Sequence, residues 1–152
     1  MTQTVKLNEF SKILRDMPGK TLEEVRRGTI SGVAKSIPDL VKESPVDTGL
    51  YAQSWNFTVN EEAVLLGNYS PYASIIEEGA RPFTPPIAPL LAWAKRVLQD
   101  GSQPPQYSER VRSLAYGVQK KIASEGMKPK HILENMLPTI IENIKAEILS
   151  GK

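Results

Sequence analysis

Residues 44–68 read SPVDTGLYAQSWNFTVNEEAVLLGN, and here the helical character of the chain gives way to strand. Pro45 fixes its own φ and bars Ser44 from the helical region, so a preceding helix must end before it. Asp47 can bond its own backbone two residues on, and Gly49 can take positive φ, which makes 44–49 a turn. Beyond it, Tyr51, Trp55, Phe57 and Val59 share one face of a strand, with Ala52, Ser54 and Asn56 on the other. Asn60-Glu61-Glu62 reads as a loop, Ala63–Leu66 as the returning strand, and Gly67-Asn68 as its close. The pattern predicts a β-hairpin over 50–67.

Upstream, Leu7, Phe10, Ile13 and Leu14 lie at helical spacing, and Met17-Pro18-Gly19 breaks the run. Thr21 precedes Glu23 and Glu24, acids suited to a helix N-terminus. Leu22, Val25, Thr29, Val33, Ile37 and Leu40 then trace one face of a helix to about Val41 that Pro38 should kink or divide, so the region 5–43 is helical. Gly28 and Gly32 form a small-x-x-x-small spacing, read as tight packing inside the subunit.

Downstream, Pro71 opens a short helix over 71–78 that Gly79 can cap. Three prolines keep Arg81–Pro86 extended. A helix follows over 87–99, burying Leu90, Leu91, part of Trp93, Ala94, Val97 and Leu98. The stretch 100–106 reads as a linker and the freest segment. Val111, Leu114, Ala115, Val118 and Ile122 define a helix within 107–125. Ile132, Leu133, Met136, Leu137, Ile140, Ile141, Ile144 and Ile148 define another over 131–149, which Pro138 should divide. The expectation is one α+β domain over 1–152, a small antiparallel hairpin flanked by N-terminal and C-terminal helices.

Composition narrows the chemistry. The 152 residues contain no cysteine, which excludes disulfides, thiol catalysis and thiolate metal sites and suits a reducing compartment. His131 is the single histidine; it has no carboxylate companion at metal-ligand spacing and reads as a surface or helix-start residue. No Gly-x-Ser-x-Gly elbow or phosphate-binding glycine loop is present. Glu77 and Glu78 are adjacent and diverge by about 100° on a helix, so they cannot flank one glycosidic bond. The expectation is a protein that is not an enzyme and takes no cofactor or metal. No run approaches the roughly 18 apolar residues of a membrane span, and the N-terminus has no apolar leader-like stretch.

The net charge is only +2. Its distribution is uneven: residues 81–130 hold nine basic residues against three acids, and the remainder ten against fourteen, so +6 faces −4. Such polarity suits docking between copies or with an oppositely charged neighbour, or else a solvated basic face. Tyr51, Trp55 and Phe57 could stack nucleobases, but their nearest charges are Asp47, Glu61 and Glu62, which favours core packing.

Ser44-Pro-Val-Asp-Thr-Gly-Leu-Tyr-Ala-Gln-Ser-Trp55 is similar to the Ala-Pro-x-Asp-Thr-Gly-x-Leu-x-x-Ser stretch of tailed-phage tail-completion, neck or head-to-tail joining proteins, also called minor tail components. Tyr69-Ser-Pro-Tyr-Ala-Ser-Ile-Ile-Glu-Glu-Gly-Ala80 resembles that family's Pro-Tyr-Ala-x-x-x-Glu-x-Gly-Thr. Arg81–Val97 is similar to its proline-rich loop leading into a tryptophan-bearing helix. Gly126–Leu133 sits where members often carry Gly-x-x-x-x-Pro-Phe-Leu. Ala80 departs from the threonine, and His131-Ile132 from Pro-Phe. The ordered motifs span about 44–137; residues 1–43 match nothing beyond helical periodicity.

The resemblance implies a structural virion protein, forming a commonly sixfold ring at the head–tail junction around the DNA channel. Its partners would be copies of itself and neighbouring connector, stopper, tail-terminator or tail-tube proteins, with DNA passing through without sequence-specific binding and no membrane involved. The expected location is the virion neck or tail, and the host cytoplasm during assembly. Pro45, Asp47, Thr48, Gly49, Tyr72, Glu78 and Gly79 are expected to keep the fold first and serve an interface second. Arg81, Pro82, Phe83, Pro85 and Pro86, with the linker 100–106, are the expected contacts with neighbours. The alternatives are a tail terminator or other minor tail protein, and a small nucleic-acid-binding module using 81–130.

Overall fold

The computed structural model describes residues 17, 19–60 and 63–151; the predicted helix over 5–16 lies outside them, as do Glu61 and Glu62 of the hairpin loop. The fold is α+β, with helices and, among the described residues, one two-stranded antiparallel sheet. In chain order the elements are α1 (Leu22–Glu43), α2 (Leu50–Gln53), β1 (Trp55–Val59), β2 (Val64–Asn68), α3 (Ala73–Glu78), α4 (Ile87–Leu98), α5 (Glu109–Glu125) and α6 (Ile132–Ser150). They group into two compact units, 1–77 with 131–152, and the inserted 78–130.

In the first unit α1 starts with a capping box: Glu24 N–H donates to Thr21 Oγ1 at 3.2 Å, and Thr21 N–H donates to Glu24 Oε2 at 2.7 Å. That backbone donor, then the Thr21 hydroxyl, hold the Glu24 carboxyl below its usual range. α1 runs unbroken to Glu43, and α6 unbroken to Ser150, so neither Pro38 nor Pro138 divides its helix. Both prolines, and Ala34 and Glu134 four residues earlier, are exposed. The carbonyls deprived of an N–H partner therefore face water, while Leu40 and Ile140 stay buried beyond. Leu22, expected on the buried face, is the first residue of α1 and is exposed.

The packing of α1 against α6 is close enough to need glycine. A Cβ on Gly28 would lie 2.5 Å from Ile148 Cγ1, and one on Gly32 2.5 Å from Ile144 Cα. Val25, Val33, Leu40, Ile140, Ile144 and Ile148 form the seam, extended by Trp55, Val64 and Leu66 of the hairpin. β1 and β2 pair from Trp55↔Asn68 to Val59↔Val64, so Gly67 and Asn68 belong to the returning strand instead of closing it.

The hairpin begins later than its alternation suggests. Leu50–Gln53 is a helical turn: Gly49 is left-handed at φ 81°, Gln53 N–H donates to Gly49 O at 2.9 Å, and Ser54 N–H to Tyr51 O at 3.1 Å. Tyr51 and Trp55 are four apart, a spacing that puts two side chains on one side of either a strand or a helix.

The inserted unit pairs α4 with α5 around Ala94, Val111 and Ala115, fringed by half-buried Leu90, Leu91, Trp93 and Leu98. Val97, expected inside, is 55% exposed. Ser108 caps α5 by accepting from Val111 N–H at 3.3 Å.

Candidate functional site

The turn 44–49 ends α1 through side chains of its own. Ser44 Oγ donates to Leu40 O at 2.6 Å and accepts Trp55 Nε1–H at 2.7 Å, binding the helix end to the first strand residue. Pro45 is half-buried, Asp47 and Thr48 are exposed, and Gly49 supplies the positive φ that lets the chain enter α2.

From α2, Tyr51 reaches the second motif. Its hydroxyl donates to Glu77 Oε1 at 2.6 Å. Its ring stacks on Tyr72 at a centroid distance of 6.4 Å and meets Trp55 edge-on at 5.7 Å. Burial, then the Glu77 carboxylate, push the Tyr51 hydroxyl well above the usual tyrosine range. Asn68 Nδ2 donates to Tyr51 O at 2.7 Å, so the end of β2 also holds this helical turn.

Glu77 is the centre of the cluster. Besides Tyr51 it receives Leu133 N–H on Oε2 at 3.2 Å, and its own carbonyl receives His131 N–H at 3.2 Å. One residue therefore fastens α2, the end of α3 and the start of α6. Glu78, the expected fold-keeping residue of this stretch, is exposed. The missed signal was spacing: in Pro71-Tyr72-Ala73-x-x-x-Glu-x-Gly79 the glutamate is Glu77.

Gly79 belongs to the inserted unit and is left-handed at φ 74°. A Cβ there would fall 2.3 Å from Met127 O, and one on Gly126 2.2 Å from Ala80 O. The glycines let Ala80 and Met127 exchange backbone hydrogen bonds of 2.9 and 2.8 Å. Arg81, Pro82, Phe83 and Pro86 are exposed and Pro85 is half-buried, its carbonyl accepting Gln119 Nε2–H at 2.8 Å. The stretch 100–106 is locally ordered: Asp100 accepts Ser102 N–H at 2.8 Å and the Ser108 hydroxyl at 2.7 Å. Hydrogen bonding from Ser102 and Ser108 holds the Asp100 carboxyl down to about 2.

His131 sits at the N-terminus of α6 with φ 50°, half-exposed, its Nδ1 3.2 Å from Glu134 Oε2. Among the described residues no group of three His, Asp or Glu side chains is placed to hold a metal ion, and no helix is long and apolar enough to cross a membrane. The arrangement around Tyr51 and Glu77 joins three segments of backbone, and its polar atoms are committed to one another. Comparison with family models, with curated proteins and with solved structures returns no match for this chain.

Proposed function

We propose that this chain is a structural virion protein of a tailed phage, a ring subunit at the head–tail junction that joins tail to DNA-filled head and surrounds the channel. The observation that carries the reading is the meeting of two motifs. The Pro-Val-Asp-Thr-Gly stretch delivers Tyr51, and the Pro-Tyr-Ala stretch delivers Tyr72 and Glu77, to one bonded cluster. Residues that resemble the family in order along the chain thus act together in space, which supports a shared fold over coincidence. The charge partition adds to it. The inserted unit 78–130 carries nine basic residues against four acidic, net +5, and the rest of the chain is −3. A subunit whose two units differ in the sign of their net charge suits the heterologous contacts of a closed ring.

Electron microscopy of lysates from a phage lacking this gene tests the reading. Filled heads beside separate, complete tails are expected; intact infectious particles would discard it. Replacing Arg81–Pro86 by a Gly/Ser loop of equal length should leave a folded chain that no longer assembles. A second reading, a nucleic-acid-binding module, draws on the +5 of 78–130. It requires binding to duplex DNA that falls steeply with salt.

A further inference from the structure

The inserted unit assembles an aromatic and basic surface from two separated segments. On α5, Arg112, Tyr116 and Lys120 recur every four residues, share one face and are all exposed. Gln119 flanks that face, and its bond to Pro85 O ties the loop 81–86 to the same side of the helix. Phe83, two residues from that anchor, is 39% exposed and Tyr116 is 54% exposed. Aromatic and arginine side chains concentrate the energy of protein interfaces.

The other unit carries a surface of opposite character. Val46 is 77% and Leu50 48% exposed, at the two sides of the turn that follows α1. Asp39 and Glu43, one turn apart at the C-terminal end of α1, are exposed seven and three residues before Val46. Over residues 39–50 three acids stand against one base, Lys42.

We propose that the Phe83, Arg112, Tyr116 and Lys120 face of one copy docks on the Asp39, Glu43, Val46 and Leu50 patch of a second copy. Charge opposes charge, and an aromatic pair meets an aliphatic pair. The contact is heterologous, so each copy keeps one unused face until a ring closes. The inference rests on the ring reading above. Phosphate recognition by the same face would use Arg112, Lys120 and the Tyr116 hydroxyl and leave exposed Phe83 without a role, which favours a protein partner over duplex DNA.

The absence of cysteine makes introduced thiols clean reporters. A Thr48→Cys chain, nearly isosteric at the rim of one patch, is mixed at millimolar concentration with a differently tagged Ala123→Cys chain, one turn beyond Lys120 on the other face. On oxidation the mixed disulfide is expected to form about tenfold faster than either same-site disulfide. Adding Arg112→Glu and Lys120→Glu to the Ala123→Cys chain should remove that excess, and Asp39→Lys with Glu43→Lys in its mate should restore it. All substituted positions are exposed, and thermal unfolding checks that each variant keeps its fold.

No excess of mixed disulfide, or an excess indifferent to charge reversal, overturns the proposal. Binding of a labelled DNA duplex that Arg112→Glu and Lys120→Glu abolish, with no mixed disulfide, also overturns it and assigns the face to phosphate. Charge-dependent cross-linking together with intact knockout phage keeps this contact and removes the neck role. Separated heads and tails without the cross-link remove the contact and keep the neck role.

Discussion

The two units of this chain are held in different ways. The unit formed by 1–77 and 131–152 is held from inside: Leu40, Leu66, Ile140, Ile144 and Ile148 are less than 2% exposed, and α1 lies against α6 with no room for a Cβ at Gly28 or Gly32. The inserted unit is held from its edges. Its buried centre among the described residues is Ala94, Val111 and Ala115. Half-buried Leu90, Leu91, Trp93 and Leu98 fringe that centre, and the Asp100–Ser108, Gln119–Pro85 and Ala80–Met127 hydrogen bonds tie down its loops. Burying one large aliphatic side chain stabilises by about 1.5–3 kcal/mol, and one hydrogen bond by a net ~0.5–1.5 kcal/mol. Comparable substitutions should therefore hurt the first unit more than the second.

The largest effect is expected from Gly32→Leu. Its side chain has to displace the backbone of Ile144 and Asn143, which approach a Cβ position at 2.5–2.9 Å. Overpacking of a tight seam costs about 1–3 kcal/mol, and backbone separation puts this case at or above the upper end. The Tm should fall by about 6–12 °C, at roughly 2–4 °C per kcal/mol for a chain of this size. A Tm within a degree of the parent would mean that the α1–α6 contact does not carry the unit.

Next is Tyr51→Phe, which keeps the ring stack and deprives Glu77 Oε1 of its donor. A partly buried carboxylate oxygen left unpaired costs about 1–3 kcal/mol. The pH dependence has a definite sign. The folded pKa of Tyr51 lies above its unfolded value, through burial first and Glu77 second. This contribution is fully present below about pH 10 and is lost as pH rises beyond it. Urea unfolding at pH 8 and pH 11 should show the parent losing more stability than Tyr51→Phe over that interval; equal losses would remove Tyr51 as the cause.

How far the sequence reveals this architecture depends on the range of the forces involved. Local punctuation was readable: Pro45 stops α1 and Gly49 turns left-handed, both dictated within a few residues. The Gly28 and Gly32 spacing likewise announced a close helix seam, though not that α6 supplies it. Periodicity misled where two periods coincide, at Tyr51 and Trp55, so a helical turn read as strand. Division of the helices at Pro38 and Pro138 does not occur, because the carbonyls each proline leaves unpaired lie on the water-facing side, which a sequence does not state. Glu77 was missed because its meaning comes from Tyr51, 26 residues away, and Leu133, 56 away. The motif order pointed to a turn and a loop, and only the fold shows them meeting.

At the edge-held unit the expected effects are smaller. Ser108→Ala removes both the cap of α5 and one donor to Asp100. Loss of such a cap costs about 1 kcal/mol. Asp100 has a folded pKa of about 2, below its unfolded value. Its contribution is present above about pH 4 and is lost as pH falls from there toward 2. Amide protection in 100–112, corrected for the intrinsic pH dependence of exchange, should fall over that window in the parent and already be low at pH 5 in Ser108→Ala. Unchanged protection would mean that the linker is held by something else.

The smallest effect, and the one that reverses sign between the units, is Gly117→Ala. Gly117 lies in the interior of α5, is exposed, and has nothing within 4 Å of a Cβ. Nothing opposes the added methyl, so only the backbone entropy of the unfolded glycine and the helical preference of alanine act. The gain should be about 0.5–1 kcal/mol, read as greater protection of α5 amides. The same substitution at Gly28 or Gly32 adds the same propensity but forces α1 off α6, and there the steric cost outweighs the gain. Two stabilising outcomes would show that the seam relaxes freely, and two destabilising ones that α5 has a partner on its outer face. Because Gly117 lies one residue from Tyr116, the latter result would be read together with the cross-linking experiment.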